Sequence, residues 1–273
     1  MHQNIQYYAQ RWGVVIAKEI KTLSGIVCFG KQGDVPIVLK LPKPNSDEVQ
    51  QQKITRYFEG RGMIRVLDAD NTAILLERLN PGRHLIELTK AGQDAEATHI
   101  FCQVVRQLHS ARGSLTNFQP INQLALGFDR YIDCADKTIS AATVYHAKSL
   151  FRALSASQTK PVLLHGDLHH DNILYDNAHG WVAIDPKGYV GEPAYEAGAW
   201  IRNPMQYVAQ VATCEGIESR VTIMVKEMGW SRERVLEWSY AQAILSAIWA
   251  IEDNEKPDAA IEVAMVLREC LRV

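Results

Sequence analysis

Paired thiols are missing from this chain. Cys28, Cys102, Cys134, Cys214 and Cys270 are odd in number, far apart and without a Cys-x-x-Cys, which argues against a disulfide framework or a thiolate zinc site and for buried thiols in a reducing compartment. An excess of one charge is missing too. The 29 Lys and Arg against 31 Asp and Glu offer nothing to nucleic acid or an anionic membrane. The start, Met1-His2-Gln3-Asn4-Ile5, lacks the charged head and apolar run of a signal peptide, and no stretch is long and apolar enough to cross a bilayer, so a cytoplasmic, membrane-free protein is expected. Internal repeats, low-complexity tracts and a Gly-x-x-x-x-Gly-Lys-Ser/Thr are absent, the last excluding a P-loop ATPase. The 273 residues suit one large domain or two lobes sharing a cleft.

What is there alternates strand signals first and helical ones later. Gly25 to Lys31 and Pro36 to Leu41 read as strands joined by a Gln32-Gly33-Asp34 turn. A helix is expected to open at Asn45-Ser46-Asp47-Glu48, with Ser46 or Asp47 as its cap. Met63 to Leu67 and Ala73 to Leu79 read as strands around an Asp68-Ala69-Asp70-Asn71 turn, giving a small sheet carrying one helix. After Asn80-Pro81-Gly82 the pattern becomes helical. From Asp94 to His109, Ala97, Ile100, Phe101, Val104, Val105 and Leu108 recur at helical spacing, and Ala241 to Ile251 is apolar nearly all round. Further helical signals fill Lys137 to Leu154, Ser231 to Tyr240 and Ala259 to Leu271. The expected division is 1–79 and 80–273.

The chemistry is concentrated in His165-Gly166-Asp167-Leu168-His169-His170-Asp171-Asn172 and in Ile184-Asp185-Pro186. Val162 to Leu164 and Trp181 to Ile184 read as strands, and adjacent strand ends would bring Asp167, Asn172 and Asp185 within one cation's reach. Such a set serves phosphoryl transfer: Asp167 as acceptor of the hydroxyl proton, Asn172 as a neutral oxygen ligand, and Asp185 as the bridge from Mg2+ to the nucleotide phosphates. The competing reading is a zinc-dependent hydrolase, because His165, Asp167, His169, His170 and Asp171 crowd metal ligands together. It lacks the His-x-His-x-Asp-His order of binuclear hydrolases, and His179 is the sole downstream histidine. In the phosphotransfer reading, His165 braces the loop through its ring, and His169 and His170 lie around the site or on the surface.

Leu164 to Leu174, Trp181 to Glu192, Gly60 to Leu67 and Leu75 to Leu79 together resemble the aminoglycoside and hydroxyurea resistance kinases, of the streptomycin 6-phosphotransferase type. The resemblance implies an α+β, protein-kinase-like bilobal fold: a small antiparallel-sheet N-terminal lobe with one main helix, and a larger, mostly helical C-terminal lobe. It also implies an ATP- and Mg2+-dependent phosphotransferase acting on an alcohol group of a small molecule, an aminoglycoside such as streptomycin, hydroxyurea or a related metabolite. By the same resemblance Lys40 holds phosphates and Glu48 steadies it, Ser24 lies in the turn over the nucleotide, and Glu77 with Arg78 and Leu79 present backbone to adenine. A solvated strand-end lysine and a helix-start acid are the plain alternatives for Lys40 and Glu48.

Thr22-Leu23-Ser24-Gly25 lacks the repeated glycines of a protein-kinase loop, Gly166 stands where those enzymes have arginine, and no Ala-Pro-Glu follows. A small-molecule acceptor is therefore expected, and a catalytically inactive nucleotide-binding module stays open as an alternative. For a cationic acceptor, carboxylates are the expected partners: Glu192 and Glu196, and the Glu252-Asp253-Asn254-Glu255 cluster with Asp258, which can equally be a solvated loop.

Overall fold

The computed structural model describes residues 2–22, 24–43, 50–134 and 136–272. Helix α1 (His2–Arg11) precedes β1 (Val14–Lys21), β2 (Gly25–Gln32) and β3 (Val35–Pro42). Helix α2 (Gln51–Tyr57), β4 (Val66–Ala69) and β5 (Ile74–Glu77) complete an antiparallel sheet of order β1-β2-β3-β5-β4. Gly33, at φ 61°, makes the turn between β2 and β3. The helix opening expected at residues 45–48, Glu48 included, lies outside the described residues.

Two expectations for this lobe need correction. Asp68 and Ala69 extend β4 instead of turning. The reversal follows them, where the Asp70 Oδ1 accepts from the amides of Thr72 (2.8 Å) and Ala73 (3.1 Å). The sheet also carries a second helix, α1, whose Ile5 and Tyr8, with Trp12 just beyond its end, pack with Ile26, Cys28, Ile37, Leu39 and Leu41 on the outer face. Strand side chains alternate between faces. With Ile37, Leu39 and Leu41 turned outward to α1, Val38 and Lys40 face the other lobe.

That lobe comprises β6 (Pro81–His84), α3 (Ile86–Lys90), α4 (Asp94–His109), β7 (Gln119–Pro120), α5 (Leu126–Asp133), α6 (Ala141–Ala156), β8 (Val162–Leu163), β9 (Ile173–Asp176), β10 (Gly180–Ala183) and β11 (Tyr189–Gly191). It continues through α7 (Ala197–Ile201), α8 (Val208–Val211), α9 (Cys214–Met228), α10 (Arg232–Glu252) and α11 (Asp258–Cys270). Helical character is expected after Asn80-Pro81-Gly82, but Pro81 and Gly82 begin β6 in a β10-β9-β6 sheet before the helices follow; a second small sheet has the order β7-β11-β8. Helix α10 is the centre of this lobe. Ser231 caps it, and Trp238, Tyr240, Ala241, Ile244, Leu245 and Ile248 are buried against α5, α6, α7, α9 and α11.

The lobes are joined by backbone as well as by chain continuity. Ala183, at the end of β10, donates to the Gly62 carbonyl (2.7 Å) and accepts from the Ile64 amide (2.9 Å). Deep in the second lobe, the buried Arg220 of α9 makes a fork. Its Nε and Nη2 each reach the Asp94 carboxylate at 2.7 Å, and its Nη1 donates to the carbonyls of Trp200 (3.0 Å), Ile201 (3.3 Å) and Asn203 (2.8 Å). One guanidinium thus fastens the start of α4 and the end of α7 to α9. Arg220→Met should cost about 3 kcal/mol, because it strands a carboxylate and three carbonyls together. Thermal or urea unfolding measures this, and a transition coincident with the parent's would show that the fork adds no stability.

Candidate active site

The β9–β10 hairpin builds half of the site. Its register pairs Ala183 with Ile173, so the residues just outside the pairing, Asn172 and Ile184-Asp185, lie side by side at the open end. The Ile184 amide donates to the Asn172 carbonyl at 2.9 Å. This corrects the expectation of two neighbouring strand ends after β8 and β10. Strand β8 pairs with β11 instead, and Asp167 is tied in through the Asn172 side chain, whose Nδ2 donates to the Asp167 carbonyl at 2.9 Å. Asp185 sits at φ 59°, a left-handed conformation that short polar side chains tolerate better than branched ones.

The loop bearing Asp167 is clamped from several sides. The His165 ring Nε2 lies 2.8 Å from the Ile184 carbonyl, and the His165 carbonyl accepts from the amides of Lys187 (2.8 Å) and Gly188 (3.1 Å). Gly166 has φ 81°, and a Cβ there would fall 2.7 Å from Tyr189 Cδ2. That contact gives the physical reason why no arginine stands at this position. His170 is fully buried, stacked on Trp200 at 3.7 Å, so it belongs to the core and not to the surface. Burial holds both His165 and His170 below the ordinary imidazole range, His170 far below. His169 lies closest to the site, its Nε2 3.2 Å from Asn172 Nδ2 and 3.9 Å from Asp167 Oδ2. These rings diverge, and among the described residues no three His, Cys, Asp or Glu groups converge to hold a metal ion, as a zinc hydrolase would need.

Lys40 crosses the cleft and forms an ion pair with Asp185. Its expected partner, Glu48, is outside the described residues. Ser24 lies in the β1–β2 turn, where its carbonyl accepts from the Lys43 amide at 2.7 Å. At the lobe junction the Glu77 carboxylate accepts from the Arg65 amide at 2.9 Å, and Leu79 is buried.

Two acidic residues expected to hold an acceptor do other work. Glu192 is buried, and its carboxylate accepts from Arg234 Nε (3.0 Å), Arg234 Nη2 (2.8 Å) and the Trp238 indole. Glu196 is buried beneath the loop. It accepts from the amides of His165 (2.5 Å) and Gly166 (3.1 Å), with His109 Nε2 at 3.5 Å. No sequence motif marks Glu196 as a loop brace; the pairing joins residues about thirty positions apart.

Asp167 opens into a cavity of about 540 Å³ whose wall includes Gln123, Arg130, Lys187, Tyr189, Arg202, Gln242, Trp249, Glu252 and Asp253. Glu252 is held bidentately by Arg130 at 2.8 and 2.9 Å. Glu255 is exposed and outside this wall, and so is Asp258 at the start of α11. The wall's charges balance, with Arg130, Lys187 and Arg202 facing Asp167, Glu252 and Asp253. The expected acidic pocket is thus a charge-balanced one.

Glu196 generates a pH prediction. Burial pushes its carboxyl up, but His109 and the loop amides outweigh this, and the folded value lies below the ordinary 4.5. A depressed carboxyl pKa stabilises the fold above the unfolded value and loses that contribution as pH falls through the folded one. The Tm gap between the parent and Glu196→Gln should therefore be wide at pH 7 and should begin to close as pH falls below 4.5, vanishing once it passes the lower folded value. A gap independent of pH would refute the brace.

Comparison with known proteins places this geometry. Residues 11–254 match the family described as aminoglycoside/hydroxyurea antibiotic resistance kinase. A streptomycin 3''-kinase of Klebsiella pneumoniae is 32% identical over 270 residues, covering 94% of this chain and 96% of that protein. A hydroxyurea phosphotransferase of Kitasatospora aureofaciens is 27% identical, covering 95% and 76%. Among solved structures, aminoglycoside phosphotransferase APH(4)-Ia in a ternary complex with ADP and hygromycin B superposes with a TM-score of 0.71 at 15% identity, covering 98% and 97%. A choline kinase of Streptococcus pneumoniae gives 0.70 at 11%, covering 100% and 99%. At such identities the structural likeness speaks for the fold, which is the protein-kinase-like fold of these small-molecule kinases.

Proposed function

The chain belongs to the aminoglycoside/hydroxyurea antibiotic resistance kinase family, and from that premise we propose how its own residues carry out ATP-dependent phosphotransfer to a small-molecule hydroxyl. Asp167 orients the hydroxyl and accepts its proton, and Lys40 engages the nucleotide phosphates from the opposite lobe. Asn172 and Asp185 offer hard oxygens, the donor type that magnesium prefers. The Asn172 nitrogen is committed to the Asp167 carbonyl, which leaves its oxygen to offer. Magnesium, when bound there, would neutralise phosphate charge. The observation that carries the reading is the chain of hydrogen bonds, each 2.9 Å, from Asp167 through Asn172 to Ile184, which ties the proposed base to the proposed metal oxygens. Such completeness counts against an inactive nucleotide-binding module.

The acceptor we propose is a polyhydroxylated cation of the aminocyclitol type. A 540 Å³ cavity suits a drug-sized molecule. Hydroxyurea, with only a handful of atoms, would leave most of it to water. Relatives named for streptomycin 3''- and 6-phosphorylation match the chain, so the hydroxyl chosen depends on how the cavity seats the ring system. Glu252 and Asp253 would meet the cations, Glu252 already sharing its charge with Arg130.

Asp167→Ala should keep ATP affinity while lowering turnover about 10²-fold or more, whereas Lys40→Met and Asp185→Ala should weaken nucleotide use first. Acceptor-dependent ADP release with streptomycin, beside ATP titrations, separates these effects. Near-native turnover in Asp167→Ala would end the assignment of the base. For the acceptor, Asp253→Asn should raise the KM for streptomycin at low salt, with Glu255→Gln as the silent control, and the effect should shrink as salt screens it. Equal behaviour of the two variants would remove Asp253 from recognition.

A further inference from the structure

Arg202 lines the cavity beside Asp167 and has no part in the roles assigned to Asp167, Lys40, Asn172 and Asp185. It follows α7, its side chain is nearly buried, and its Nη2 stands 3.4 Å from Asp167 Oδ1. Its Nε is enclosed without a hydrogen-bond partner among the described residues. A buried guanidinium that is only partly satisfied is costly. Here the cost is sustained by the fork of Arg220, which grips the carbonyls on both sides, Ile201 and Asn203, and anchors itself on Asp94. The segment is thus held rigidly from behind, with Arg202 directed at the carboxylate.

We propose that Arg202 is a positioning residue for Asp167, a role that rests on the reading of Asp167 as the base. By engaging Oδ1 it fixes the carboxylate rotation and leaves Oδ2, on the His169 side, to take the acceptor proton. It adds no bond to the chemistry: the hydroxyl proton passes to Oδ2 as the acceptor oxygen bonds to the γ-phosphorus and the bond to ADP breaks. It also places a fixed positive charge where the acceptor hydroxyl enters, so the reacting end of the acceptor is neutral and its cations lie at the Glu252 and Asp253 end of the cavity.

The test is a set of Arg202 variants assayed for ADP release with streptomycin, and for intrinsic ATP hydrolysis, in which water replaces the acceptor. Arg202→Ala should lower kcat about 10- to 100-fold, the scale of a misplaced catalytic group, without changing the KM for ATP. Arg202→Lys should recover part of the loss, and guanidinium ion added to Arg202→Ala should recover some activity in either assay. Because the effect passes through Asp167, Arg202→Ala should cost little more once Asp167→Asn is present. Native kcat in Arg202→Ala, or a loss that multiplies fully with that of Asp167→Asn, would overturn the proposal. Full activity in Asp167→Ala would instead overturn the base assignment on which it rests.

Discussion

A carboxylate out of water's reach governs this site. Glu196 takes hydrogen bonds from two consecutive amides, those of His165 and Gly166, at the point where the chain leaves β8 and turns into the loop. Backbone donors in such a turn would otherwise be left unpaired in the interior, at a cost comparable to a lost hydrogen bond each. Satisfying them with a charged group makes the bonds stronger than neutral ones and sets the direction in which the loop emerges. The His165 ring then takes its place on the Ile184 carbonyl, the Gly166 backbone folds against Tyr189, and Asp167 arrives at the cavity with its orientation already restricted.

The second constraint is the link between lobes. Lys40 is on a sheet whose other face is sealed by α1, so alternation along β3 alone directs it across the cleft. Ala183 then anchors the segment around Gly62 and Ile64 to the strand that delivers Asp185. Lys40 from one lobe and Asp185 from the other meet in an ion pair across the cleft, beside this backbone link.

Much of this was legible beforehand because it is local. Asp167, Asn172 and Asp185 stand out by residue type and spacing, α4 by its periodicity and the β2–β3 hairpin by its turn. What escaped was contact between distant positions. The helical spacing of Ile5, Tyr8 and Trp12 was present in the sequence, but a ten-residue amphipathic segment means little until a sheet face is available to cover. Glu192 and Glu196 read as polar and near the site, yet their partners Arg234, Trp238 and His109 lie on other helices. Cys214 and Cys270, scattered in the sequence, have their Sγ atoms 3.5 Å apart where the start of α9 meets the end of α11. Arg202 and Arg220 carry no local signal at all, since the groups they touch, Asp167 for the one and Asp94 with three backbone carbonyls for the other, lie elsewhere in the sequence.

The hairpin that carries Asn172 and Asp185 has a consequence for how such sites vary. The two residues adjoin because they flank the open end of paired strands, and the reversal near Asn177 lies at the far end, tied down by Asp176 accepting from the amides of Asn80, Ala178 and His179. Lengthening both arms by equal numbers of residues would carry that reversal further away and leave Asn172 and Asp185 side by side. Inserting a single residue into one arm would instead send Asp185 to the opposite face. The two paired arms can therefore change length only in step with each other, whereas the turn between them is free to take any number of residues.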